Sequence, residues 1–328
     1  MIKTIKDSFL TINWNYVDWN LVFVWNALTI SMLIIIITMR FPPCKQYFIS
    51  KKGREFLDMG EHQKKQTTPT MGGLAFYAIF PLLYYFYAGN SSFWFIAFTS
   101  GLSGLVGALD DWFKINHGTG LSVKVKFTLQ MFCALICGVF FYCSFPEQTY
   151  INFFGFHFHC GIYYILWIMW VIMATTHAVN LIDGIDGLAI SQVGIMQIFS
   201  PLTLFGGFKL GFSCMWYIFF TFNRYPAKIF MGDVGAFFLG GYLASAFIAA
   251  RCEILLVIVG IILVLNTMSV IIQTIWYKLY RTRFFSFTPY HHALEKKGWS
   301  ENKICMVYGI VTLTSSIISL VLYKKYYI

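Results

Sequence analysis

The residues of this chain with the types and spacing to do chemistry are acids set beside apolar runs. The stretch 178–189, AVNLIDGIDGLA, carries Asp183 and Asp186 three residues apart, with Asn180 three residues further back. On a helix that spacing predicts all three on one stripe. Gly184 and Gly187 leave room for a ligand or another backbone to come close. A carboxylate near hydrocarbon costs about 2.5 to 3.5 kcal/mol even on the mild insertion scale, so three polar groups on one stripe predict a functional site. A single Asp there reads instead as a helix-end cap. Asp110-Asp111, with Lys114, ends another apolar run; adjacent carboxylates repel, gain nothing from the negative end of a helix dipole and call for a positive partner. Mg²⁺ answers that need, because hard cations take carboxylate oxygens and bring phosphate oxygens with them. The competing reading of this pair is a solvated helix end neutralised by Lys114. Asp233, between glycines in FMGDVG, is either a further acid of the same kind or a cap at a helix N-terminus. His291 and His292 follow Pro289 and precede Glu295, and they offer metal ligation, a phosphate contact or a proton shuttle. Pro289 disfavours helical geometry at Thr288 and predicts a loop, in which consecutive side chains point in different directions.

The elements that must position these groups are membrane spans. Of the 328 residues, 58% are hydrophobic and only 12% charged, which is the composition of a multi-span membrane protein and not of a soluble domain. A net charge of +10 raises nucleic acid as a partner, but the Lys and Arg residues lie in short clusters between apolar runs, so no nucleic-acid binding is expected. The eight cysteines form no C-x-x-C pair and imply neither a metal site nor a disulfide framework. The first apolar run is followed by a basic segment and has no small-residue cleavage site, so it reads as a retained helix.

Apolar runs predict ten spans, at 19–41, 71–88, 93–109, 123–143, 161–178, 188–205, 209–222, 235–250, 254–279 and 304–323. The fold class is therefore an all-α integral membrane protein, one polytopic domain over residues 1–328. The connections on one side, with their flanks, hold 18 of the 24 Lys and Arg residues. That asymmetry makes this side cytoplasmic and puts both termini outside. The segment 144–160, rich in Phe and His, reads as interfacial. Every unusual polar motif falls on a cytoplasmic connection, so the active site is expected at that face. Five of the chain's 14 acids, Asp110, Asp111, Asp183, Asp186 and Asp233, meet there with Lys64, Lys65, Lys124 and Lys126. Acids that hold Mg²⁺, with lysines alongside for phosphate charge, describe phosphoryl transfer. An ion-coupled transporter would instead need its acids near the bilayer midplane in broken helices, and no internal repeat supports one.

Five motifs in order, TPTMGG, DDWFK, NLIDGIDGLA, FMGDVG and PYHHALEKKGW, resemble those of the phospho-N-acetylmuramoyl-pentapeptide transferase family, within the polyprenyl-phosphate N-acetylhexosamine-1-phosphate transferases. The likeness runs from about Lys64 to Trp299. TPTMGG and the histidine motif favour this family over relatives that use UDP-N-acetylglucosamine, the alternative reading. The resemblance implies transfer of phospho-MurNAc-pentapeptide from UDP-MurNAc-pentapeptide to undecaprenyl phosphate, giving lipid I and UMP at the bacterial cytoplasmic membrane. It implies that Asp110 and Asp111 are the family's paired aspartates, one a candidate base on the lipid phosphate, and that Asp233 joins Asp111 as a Mg²⁺ ligand. Asn180 and Asp183 would lie near the diphosphate, and Asp186, Asn223 and Phe230 near the uridine. Lys65, Thr70, Lys126, Gln273 and His292 match further polar positions of that site, and His291 stands beside them. A homodimer is also implied. The family commonly has three consecutive histidines where this chain has His291-His292-Ala293, so any imidazole function rests on the first two.

Overall fold

The computed structural model describes residues 68–78, 91–198 and 206–327, without the side chains of 206–214. Its elements run from a 3₁₀ turn (Gly72–Ala78) through α1 (Ser91–His117), α2 (Val123–Ser144), β1 (Tyr150–Phe153), β2 (Phe156–His159) and α3 (Tyr164–Ile182). They continue as α4 (Leu188–Ile198), α5 (Gly206–Asn223), α6 (Gly232–Ala249), α7 (Glu253–Val259), α8 (Ile261–Tyr280), α9 (Tyr290–Lys296) and α10 (Glu301–Tyr326). Six stretches among the described residues are long and apolar enough to cross a membrane: 91–117, 123–144, 161–182, 232–249, 261–280 and 301–326. All-α membrane architecture is therefore borne out, with one small hairpin added.

The axis of the bundle is α6. It is apolar all round, and its side chains from Val234 to Ile248 are buried, as expected of a helix enclosed by others. It packs against α1, α3 and the 3₁₀ turn, and its small residues make that possible. A Cβ on Gly240 would stand 2.5 Å from Thr176 Cα of α3, and one on Gly241 2.7 Å from Ser103 Oγ of α1. Close approach through small residues is how helices associate where lipid replaces water. Around this axis Phe76, Phe219, Phe238 and Tyr242 fill the core.

Several expected boundaries move. The run 254–279 is two helices, broken at Gly260, whose backbone (φ −90°, ψ 23°) caps the second. The interfacial segment after α2 contains the β1–β2 hairpin, with Ile151 opposite Phe158. The run 93–109 extends through α1 to His117, so Asp110 and Asp111 stand two turns inside a helix and not at its end. The run 161–178 extends as α3 to Ile182, where the chain turns; Asn180 is helical, Asp183 is the C-cap and Asp186 lies beyond it. These three residues therefore do not share a helical stripe. Finally, Pro289 is the N-cap of α9, so the histidine motif is a short helix and not a loop. Span 19–41 and Lys65 lie outside the described residues.

Candidate active site

The site is assembled at one end of the bundle, where helix termini meet. In α1 the sequence Asp110-Asp111-x-x-Lys114 closes an i, i+4 pair onto Lys114, with Asp110 Oδ2 2.7 Å and Asp111 Oδ1 3.4 Å from its Nζ. Asp233, in the first turn of α6, lies 3.0 Å from the same ammonium. Lys126, at the start of α2, bonds Asp110 at 3.2 Å and pairs with Asp233. Asp110 and Asp111 are only 2% and 3% exposed, which removes the solvated-helix-end reading. The N-cap of α6 is Met231, with no side-chain capping bond, so Asp233 is not a cap. Ligand oxygens of the three aspartates lie within 4.8 Å of one another.

Backbone groups lock this cluster. Asp110 Oδ1 accepts the Leu121 N–H at 2.7 Å, which folds the 118–122 loop over α1. Asp111 Oδ2 accepts the Val234 N–H at 3.0 Å, tying it to the N-terminus of α6, where an anion is favoured. The TPTMGG motif joins through an extended pairing: Phe230 N–H donates to Pro69 O, Gly72 N–H to Phe230 O and Gly73 N–H to Met231 O, at 2.8 to 2.9 Å. Two motifs far apart in the sequence are thereby one structure. Gly73 and Gly235 touch so closely that a Cβ on Gly73 would stand 2.2 Å from Gly235 Cα. Thr70 Oγ1 and Asp111 Oδ2 both face Gly232.

A second polar group adjoins through the turn after α3. Asp186 is buried and its Oδ2 accepts the Ala227 N–H at 3.0 Å, while its own N–H donates to Glu301 Oε2 at 3.0 Å. Asn223, at the end of α5, accepts the Gly187 N–H at 3.2 Å and donates to Ile229 O at 2.9 Å, holding the turn against the half-buried Phe230 segment. Asn180 and Asp183 are half-buried at the same turn. The histidine helix closes on it: a Cβ on Gly184 would lie 2.5 Å from His291 Nε2 and 2.8 Å from His292 Nε2. His292 Nδ1 pairs with Glu295, and His291 Nδ1 lies 3.1 Å from Asn266 Oδ1. Burial, and His292 beside it, hold the His291 imidazole well below its ordinary basicity, so it stands neutral. Gln273 is placed differently. Its Oε1 accepts the Phe284 and Phe285 N–H groups at 3.1 and 2.8 Å, so it braces the loop after α8 and lines a surface cavity of about 470 Å³ with Lys278 and Arg283.

Residues that sequence reasoning passed over are Asn266 and Glu301, both bonded to site backbone. A lone Asn within the apolar run of α8 was the available signal for the first. The second had none beyond Ser300, which caps α10.

This arrangement concentrates carboxylates and ammoniums at one end of the bundle. A model of glycosyl transferase family 4 matches residues 93–251. A phospho-N-acetylmuramoyl-pentapeptide-transferase of Streptococcus pneumoniae (strain 70585) is 37% identical over 293 residues, covering 80% of this chain and 86% of the relative. The chain belongs to the phospho-N-acetylmuramoyl-pentapeptide-transferase family. Transferases of that name from Enterococcus hirae and Clostridium botulinum (strain Eklund 17B / Type B) are each 35% identical to it. They cover 84% and 79% of this chain, and 91% and 84% of themselves. The five transferase motifs read from the sequence all lie in the described assembly, Lys65 just before the first of them excepted.

Proposed function

We propose that this protein transfers phospho-MurNAc-pentapeptide from UDP-MurNAc-pentapeptide to undecaprenyl phosphate, giving lipid I and UMP for peptidoglycan synthesis. The observation that carries the reading is the meeting of Asp110, Asp111 and Asp233 with Lys114 and Lys126 beside the 183–187 turn and the histidine helix. A soluble sugar nucleotide and a lipid phosphate can reach such a site together only at a membrane face.

The reading includes Mg²⁺. Asp111 and Asp233 would hold it, since an all-oxygen set of carboxylates this close fits a hard divalent cation. When bound, the cation neutralises charge on the diphosphate and on the departing UMP. The rest falls to the chain. Asp110 spends both oxygens on Leu121, Lys114 and Lys126, so it sets the ammoniums that attract phosphate. Asp111 Oδ1, with only Lys114 at 3.4 Å, is the freer oxygen and the better candidate for a base on the lipid phosphate. Transfer then breaks the bond between the sugar-linked phosphorus and the UMP oxygen while a lipid phosphate oxygen bonds that phosphorus. Asn180 and Asp183 would flank the diphosphate; Asp186, Asn223 and Phe230 would receive the uridine. Lys65, Thr70, His291 and His292 would complete the substrate site, and Gln273 would serve it through the loop it braces. The apolar runs support ten spans in one polytopic domain, and the Lys and Arg asymmetry supports both termini outside and the site at the cytoplasmic face. Family likeness supports a homodimer in the bacterial cytoplasmic membrane.

Purified protein given labelled UDP-MurNAc-pentapeptide, undecaprenyl phosphate and Mg²⁺ should release UMP and form lipid I. UDP-N-acetylglucosamine in its place should give no lipid product. Turnover of the second substrate and not the first would overturn the assignment.

A further inference from the structure

Asn266, in the first half of α8, is 1% exposed and directed at the histidine helix. Its Oδ1 receives two donors from one residue, the His291 backbone N–H and the His291 ring Nδ1, each at 3.1 Å. Its Nδ2 donates to Ile262 O at 2.8 Å, and this fixes which end of the amide is oxygen. Turning the amide over would set an NH₂ against the His291 N–H and a carbonyl against a carbonyl. An acceptor at Oδ1 requires a hydrogen on Nδ1. In a neutral ring the other nitrogen, Nε2, is then a bare lone pair. That Nε2 is buried, has no hydrogen-bond partner among the described residues and is directed at Gly184, close enough that a Cβ there would stand 2.5 Å from it.

We infer that Asn266 is a positioning residue: it fixes His291 in the Nδ1–H tautomer and so presents Nε2 as a hydrogen-bond acceptor. The group it would receive is a hydroxyl or N–H of the sugar nucleotide, and not a phosphate oxygen, which has no hydrogen to give. The inference rests on the transferase reading for the ligand, but the tautomer stands on geometry alone. It also separates the two histidines. Glu295 fixes the His292 ring by a different partner, so adjacent imidazoles on one turn have separate supports.

The test uses full-length protein labelled with ¹⁵N-histidine, wild type, Asn266→Leu and Asn266→Asp. The imidazole ¹⁵N shifts of wild type, assigned through His291→Gln, should report the Nδ1–H tautomer, and Asn266→Leu should abolish that preference. In the lipid I assay Asn266→Leu should lose about tenfold in kcat/KM with its Mg²⁺ requirement unchanged. Asn266→Asp keeps the acceptor but its charge favours the imidazolium, in which Nε2 becomes a donor. Its activity should therefore fall below wild type at acid pH and recover as pH rises. An Nε2–H tautomer in wild type, or an Asn266→Asp enzyme more active at acid pH, would overturn the inference. Should Asn266→Leu fail to fold, the Asp variant and the wild-type spectrum still decide. A wild type that makes no lipid I sinks the transferase reading, while the tautomer shift still decides the role of Asn266.

Discussion

The Asp111 carboxylate stands where a side chain on Gly232 would be: a Cβ built on that glycine lies 2.4 Å from Asp111 Oδ2. Gly232 also has φ +73°, a left-handed backbone that costs an L side chain about 1–2 kcal/mol. Gly232→Ala should therefore strain the turn and push Asp111 off the Val234 N–H together. The expected result is loss of lipid I synthesis in protein that still folds, its thermal midpoint lowered by only a few degrees. Near-normal turnover would show that the position of Asp111 is not needed.

Charge at the cluster is separable from binding at the turn. Asp111→Asn and Asp233→Asn keep size but remove charge, and each should lose about 2.7 kcal/mol of transition-state stabilisation, roughly a hundredfold in rate. Asp186→Asn can still accept from Ala227 N–H, so it should raise KM for the sugar nucleotide and leave kcat within about threefold. Ordinary turnover by Asp233→Asn at ordinary Mg²⁺ would remove it from the metal site.

How much of this was legible in the sequence follows from what each signal depends on. Long apolar runs are set by composition, so 123–143 reappears as Val123–Ser144 and 304–323 inside Glu301–Tyr326. That the motifs gather at one bundle end was also readable, because alternating spans impose it. Local turns were not. The 180–186 spacing fits a helix, yet Asp183 caps α3 because the next residues spend their N–H groups on Glu301 and Asn223, partners distant in the sequence. Pro289 reads as a loop-former, but a helix start tolerates proline, and α9 begins right after it. Asn266 stood out as an Asn in an apolar run, but its partner His291, 25 residues on, was set only by folding.

Membrane orientation is tested at two exposed positions on opposite bundle ends. Thr119 follows the aspartate pair and His157 lies on the hairpin. In a cysteine-free background, Thr119→Cys should resist an impermeant thiol reagent applied to intact cells and His157→Cys should react. The reverse pattern at either site would turn the protein over.

The histidine helix should be sensitive to size and to pH. His291→Ala or His292→Ala should cost about tenfold in kcat/KM. Ala293 is 3% exposed, so Ala293→His, which restores the family's third imidazole, overpacks this position and should destabilise by about 1–3 kcal/mol. Because His291 is held below its ordinary 6.5 in the fold, the unfolded chain binds the extra proton as pH falls below that value. Stability should decline from pH 6.5 downward, and His291→Gln should flatten the decline. An unchanged slope in His291→Gln would show that this histidine does not carry it.

At the opposite end of the bundle, Glu253 at the start of α7 is 2% exposed. Its Oε1 accepts the Tyr164 O–H, and its Oε2 has no partner among the described residues. Arg251 is near but spends its donors on Tyr164 Oη and Gln148 Oε1 and lies over the Phe141 ring at 4.2 Å. Burial therefore prevails over the Tyr164 bond and the Arg251 charge, raising Glu253 from 4.5 to about 7. The sign follows from linkage. Between 4.5 and 7 the unfolded carboxyl gives up its proton and the folded one keeps it, so folding loses stability as pH rises through that window. The ceiling is roughly 3 kcal/mol, because each tenfold change in proton affinity is worth about 1.4 kcal/mol. Glu253→Gln removes the titration and keeps an acceptor for Tyr164. It should unfold at the wild-type temperature near pH 4.5 and at a higher one by about pH 8, with lipid I synthesis unaffected because the site is at the other end. Equal stability of the two proteins at that higher pH would mean that Glu253 is ionised in the fold and that Arg251 compensates it after all.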